Sequence, residues 1–159
     1  MATTYGQADY LTMPPGDVAL PAHPARRAAA LRLTRLVCTQ GAETGDAGSG
    51  WRVLVLPAGA RYLAALSWLA WSPFGAEALL ALGVEAWRGR DGVRHPESWD
   101  ALVPSFAVEL AGMAWLSTLA NAVQEHWSEV PVTLALRVTG APIPAGATVH
   151  GHLAYLIDA

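Results

Sequence analysis

The clearest pattern in the chain lies in its last third. Val132, Leu134, Leu136 and Val138 alternate strictly with Thr133, Ala135, Arg137 and Thr139. A period of two places successive side chains on opposite faces, which is the signature of a half-buried strand. A second such run spans Thr148 to Ile157, with Val149, Leu153, Tyr155 and Ile157 on one face. The segment 140–146, Gly-Ala-Pro-Ile-Pro-Ala-Gly, joins the two. Earlier, Trp51 to Leu56 is a short apolar run of the length of a buried strand. Tyr62, Ala64, Leu66 and Trp68 then alternate with Arg61, Leu63, Ala65 and Ser67, and Leu31, Leu33 and Val37 share a face interrupted by Arg35. Phe106, Val108 and Leu110 alternate as well.

Other stretches are ambiguous. In Glu77 to Trp87, Leu80, Val84 and Trp87 fit a helix face, whereas Leu80, Leu82 and Val84 fit a strand face. Pro96 to Leu102 reads as a helical turn with proline near its start. Turns are marked at Pro57-Ala58-Gly59, Ser72-Pro73-Phe74-Gly75 and Gly89-Arg90-Asp91-Gly92. Leu56-Pro57-Ala58-Gly59-Ala60 is echoed by Ile143-Pro144-Ala145-Gly146-Ala147, as one local turn used twice, with proline expected at the second position of a type I turn and glycine at the fourth. Short strands between Gly/Pro turns predict an all-β fold, an antiparallel jelly-roll-like β-sandwich over residues 31–159. The alternative is an α+β domain with helices at Glu77 to Trp87 and Trp115 to Trp127. Residues 1–30, punctuated by Pro14, Pro15, Pro21 and Pro24, read as an extended N-terminal arm. Its apolar Tyr5, Tyr10, Leu11, Met13, Val18 and Leu20 suit it to lie on another surface.

Composition sharpens this picture. Of the 159 residues 53% are hydrophobic and 14% charged, which excludes a wholly disordered chain. A net charge of −3 speaks against a nucleic-acid binder. The first thirty residues lack the basic start and apolar stretch of a signal peptide. Tyr62 to Val84 and Phe106 to Val123 are apolar enough to raise a membrane span, but prolines, glycines and acidic residues break them and no basic flank sets a topology. The surplus apolar area therefore suits protein contacts and self-association. Seven tryptophans exceed what a small core needs, and tryptophan is enriched at interfaces and in sugar sites. Trp68 and Trp71 lie three apart, so a strand aims them at opposite faces. The expected arrangement is Trp68 inward and Trp71 at an interface.

Chemistry is sparse. The glycine-rich 41–50 loop lacks the lysine of a phosphate-binding loop, because the chain contains no lysine. It reads as a long, mobile connection between strands. His150 and His152 share a strand face, but two ligands do not complete a metal centre. They would support only a cupin-like barrel, and no metal or cofactor is expected. The single Cys38 sits in an apolar strand pattern, as a buried structural thiol does. No nucleophile elbow or carboxylate pair is present, so the chain is not expected to be an enzyme.

Four segments occur in a telling order: Thr4-Tyr5-Gly6-Gln7-Ala8-Asp9-Tyr10-Leu11; Val55-Leu56-Pro57-Ala58-Gly59-Ala60-Arg61; Leu82-Gly83 followed by Arg90-Asp91-Gly92; and Gly146-Ala147-Thr148-Val149-His150-Gly151. Together they resemble a group of small tailed-phage virion structural proteins. The resemblance implies a β-sandwich of the capsid cement or decoration type on the capsid surface, made in the host cytoplasm. It also implies two partners, the phage major capsid protein and copies of the chain itself as a dimer or trimer. Tyr5, Tyr10, Leu11, Met13 and Trp71 are the candidate interface residues. A neck, tail or spike-base component and a carbohydrate-binding module are the alternatives. Aromatic side chains paired across an exposed sheet face would favour the last.

Overall fold

The computed structural model describes residues 30–157 together with the backbone of Tyr5–Gln7. Twelve strands follow in chain order: β1 Tyr5–Gln7, β2 Ala30–Thr39, β3 Gly50–Leu56, β4 Ala60–Trp71, β5 Leu79–Val84, β6 Trp87–Arg88, β7 Arg94–His95, β8 Ser98–Ala107, β9 Gly112–Trp115, β10 Glu125–Trp127, β11 Val132–Thr139 and β12 Thr148–Ile157. The two runs that alternate most clearly in the sequence are β11 and β12. They do not pair with each other. Each is an inner strand of a different sheet.

One sheet has the order β1-β3-β11-β5-β8 and the other β10-β4-β12-β2, with β9 also paired to β4. Apart from the parallel β1–β3 edge, the pairs are antiparallel. Strands far apart in the chain meet as nested pairs: β2 with β12, β3 with β11, β4 with β9 and β10, and β5 with β8. That nesting is the connectivity of a jelly roll. The core between the sheets is built from Leu36, Trp51, Tyr62, Leu69, Phe74, Leu82, Leu134 and Leu153 among others. Trp51 and Phe74 meet edge to face at 6.4 Å.

Several expectations are corrected. The helix alternatives do not form: Glu77 to Trp87 contains β5, and among the described residues the helical content is one 3-10 turn, Leu116–Thr118. Pro96 to Leu102 is extended rather than helical. Its chain runs into β8, whose Val103 pairs with Leu82, so the tertiary ladder overrides the local proline signal. The repeated turn is shifted by one position. Ala60 N–H donates to the Pro57 carbonyl and Ala147 N–H to that of Pro144, with Gly59 and Gly146 at φ 76° and 71°. Proline is thus the first residue and glycine the third, where a type II turn needs positive φ. Finally, the 41–50 loop is pinned. Gly45 and Ile143 exchange two backbone hydrogen bonds of 2.8 Å, and Gly48 N–H donates to the Val138 carbonyl at 2.7 Å.

Of the proposed arm, Tyr5–Gln7 adds a short strand to the edge of the first sheet, in register with Gly50–Arg52. Tyr10, Leu11 and Met13 lie outside the described residues.

Candidate interaction surface

The outward face of the β10-β4-β12-β2 sheet carries Leu31, Leu33, Met113, Trp115 and Trp127 among the exposed large apolar residues. Its construction begins with an irregularity in β4. His152 pairs with Trp68 while Ala154 pairs with Leu63, so Ala64 to Ser67 bulge opposite Leu153. The buried Ser67 staples the bulge: its hydroxyl donates to the Leu63 carbonyl at 2.7 Å and accepts from Ala154 N–H at 2.9 Å. His152 Nε2 lies 2.9 Å from the Leu66 carbonyl and ties the outer side. The insertion is odd in number, so side-chain parity flips across it. Tyr62 and Ala64 face the core before it, and Ser67 and Leu69 after it.

The flip reverses the expected tryptophan arrangement. Trp68 lies on the outward face. Trp71 packs against the core, with its ring on Phe106 at 5.3 Å and its Nε1–H donated to the Leu110 carbonyl at 2.9 Å. A uniform period-two reading of β4 has no means of detecting the extra residues.

Directly paired residues share a face in an antiparallel sheet, so the registers give the outward surface row by row. One row is Val37, His150, Ala70 and Met113; the next is Arg35, His152, Trp68 and Trp115. Beyond the bulge follow Leu33, Ala154, Leu63 and Glu125, and then Leu31, Leu156, Arg61 and Trp127. Met113 is 63% exposed, Trp127 54%, Leu31 49%, Leu33 47% and Trp115 44%. Trp68 makes edge contacts with His150 at 6.0 Å and His152 at 5.4 Å, and Trp115 reaches His152 at 6.4 Å. The charges in these rows are Arg35, Arg61 and Glu125, and the last two pair with each other at 3.2 Å. Arg35 is left as the cation of the face.

The face of β2 that carries Leu31, Leu33 and Val37 is therefore the solvent side, while Thr34, Leu36 and Cys38 face the core. Both sides of this strand are apolar, and alternation does not choose between them. Met113, Trp115 and Leu66 were not marked as surface candidates by the sequence. The available signal was the short alternation Met113-Ala114-Trp115, masked by a helix-compatible stretch.

Groups that carry chemistry elsewhere do not converge. Among the described residues no three His, Cys, Asp or Glu side chains cluster as metal ligands. His150 and His152 face outward around Trp68. Burial pushes the Cys38 thiol up to about 12, which suits packing and not nucleophilic attack. Among the described residues no helix is long and apolar enough to cross a membrane.

Comparison with known proteins agrees with the architecture. No protein-family model matches the sequence, and no curated protein does. Among solved structures, a chain from the capsid of Ralstonia phage GP4 has the same fold, with a TM-score of 0.59 and 18% identity over 98% of this chain and 99% of that one. The two chains are thus similar along their whole length in fold, at an identity where fold is what the likeness carries.

Proposed function

We propose that this chain is a non-enzymatic structural protein of a bacteriophage virion, a cement or decoration subunit that stabilises the head shell by binding the major capsid protein. The observation that carries the reading is the end-to-end likeness of fold to a chain of a phage capsid. The outward apolar face supports it, because a domain that displays Leu31, Leu33, Met113 and Trp115 has area to bury against a neighbour. Copies of the chain are a second partner in this reading; Tyr5–Gln7 keep to the chain's own first sheet, and the rest of the arm is laid on a neighbouring subunit through Tyr10, Leu11 and Met13. Trp71, engaged with Phe106 and Leu110, contributes as a support of the domain edge. The test is to locate the chain in purified particles by electron microscopy and mass spectrometry. Cement subunits sit on the shell in regular copies; a position at the neck, tail or spike base would replace that role with another virion role, and absence from particles would refute the reading. Removing residues 1–20 should weaken particle or oligomer binding while the sandwich still folds.

A carbohydrate-binding role is the second reading. The cross-strand Trp68–Trp115 pair on an exposed sheet face favours it. Titration with oligosaccharides under Trp fluorescence decides it: saturable quenching lost in Trp115→Ala supports a sugar platform.

A further inference from the structure

The outer edge of β2 joins the apolar face at one corner. β2 is ten residues long and ends its sheet. Its inner side pairs with β12 over its full length, Ala30 with Ile157 through Thr39 with Thr148. No described strand pairs with its other side. In an antiparallel ladder every second residue directs its N–H and C=O away from the partner, so β2 offers a row of backbone donors and acceptors roughly 33 Å long. Natural edges of this kind are blunted by proline, a bulge, a short length, a covering segment or charged side chains, and of these β2 shows the charges, Arg32 and Arg35. β2 has no proline, pairs with β12 without a register shift, and is among the longest strands of the fold.

Two arginines decide what the edge accepts. Arg32 and Arg35 are exposed, and neither has an acidic partner among the described residues. If two copies paired through β2 about a two-fold axis, every register that keeps most of the ladder would bring Arg35 within two residues of an arginine of the copy. Four cations would then share one seam with no carboxylate, which disfavours self-pairing. A strand that carries a carboxylate meets the opposite situation: it gains the backbone ladder, a salt bridge and contact with Leu31 and Leu33.

We infer that β2 is a strand-addition site, which takes an extended apolar segment bearing an acidic side chain opposite Arg35 from a neighbouring protein subunit. This deepens the virion reading and rests on it for the nature of the neighbour. The inference itself is tested in solution without particles, so failure of one leaves the other standing.

The experiment uses the full chain and a blocked eight-residue peptide of alternating valine and threonine with two threonines replaced by glutamate. Hydrogen exchange is followed at each amide. The expected result is at least tenfold slower exchange at alternate amides of β2 with the glutamate peptide, and at least tenfold weaker binding of the same peptide with lysine at those positions. Arg35→Gln should erase the preference and Arg35→Glu should invert it. The inference is overturned if β2 amides in the peptide-free chain already match the protection of β12, which would mean that the chain's own residues or a second copy fill the edge. Protection elsewhere than on β2, or an unchanged preference in both variants, overturns it equally.

Discussion

The two outer faces of the sandwich obey the same alternation and end in opposite states. On the β3-β11-β5 side the outward positions at the centre are small: Ala81, Ala135 and Gly83. Arg52 on β3 is the cross-strand neighbour of Ala135, and Arg137 on β11 that of Ala81. Arg52 pairs with Glu85 at 2.7 Å, and Arg137 sits over the Trp99 ring at 4.8 Å while its Nε–H donates to the Gly48 carbonyl at 2.9 Å. That face is completed by its own residues. On the β4-β12-β2 side the outward positions include Leu31, Leu33, Trp68, Met113 and Trp115, and among the described residues Arg35 has no acidic partner and no strand pairs with the outer edge of β2. Both faces carry charged side chains, so what separates them is the size of the apolar residues they turn outward.

The largest effect should come from breaking the completed face. A side chain at Gly83 would place its Cβ 2.1 Å from the Ser98 carbonyl oxygen. Gly83→Ala should therefore cost about 3 kcal/mol through forced separation of β5 and β8, read by denaturant unfolding. A stability within about 0.5 kcal/mol of the parent would refute the close approach. Next is the staple that builds the other face. Ser67→Ala removes the acceptor of the buried Ala154 N–H and should cost about 1–2 kcal/mol. If the bulge sets the outward aim of Trp68, its fluorescence should also shift.

The sharpest contrast between the faces is a pair of substitutions with little effect on folding. Leu33→Ser and Met113→Ser lie on exposed positions and should change stability by no more than about 0.5 kcal/mol. They should nonetheless reduce association with particles or with other copies, measured by cosedimentation and analytical ultracentrifugation. Equal binding in both variants would mean that the apolar face is not the contact.

The smallest effect expected is one of pH. His126, half-buried on β10 beside Tyr62, is held below the ordinary histidine value of 6.5 by burial. Its unfolded form then binds more protons than its folded form. Stability from this group is complete above that value and falls as pH drops through 6.5 toward the lowered folded value. His126→Gln should flatten the decline in Tm between pH 7.5 and 5. An unchanged slope would assign the decline to other groups.

Much of the architecture was legible. A short apolar run located β3, alternation located β11 and β12, and the Pro-Ala-Gly segments located two of the turns, because strand pattern and turn stereochemistry are local properties of the backbone. The same locality made Cys38 readable as a buried thiol. β8 was not legible: Pro96 just before it and its polar start favour a helical turn in isolation, and only the ladder to β5 makes it extended. The bulge at Ala64 to Ser67 was also hidden, since extra residues show only against a partner strand, and with it went the aim of Trp68 and Trp71.

The sequence by itself thus determined an all-β chain with more apolar side chains than a small core absorbs. It did so because composition and a two-residue period are carried by each segment alone. Which apolar face turns inward was decided by tertiary structure. β2 could have buried Leu31, Leu33 and Val37 or buried Leu36 and Cys38, and pairing with β12 settled the choice by fixing one register for all ten residues. The place of β2 at the end of its sheet, and the gathering of Arg35, Trp68 and Trp115 into one row, follow from that register and from residues more than thirty positions apart meeting across the sheet.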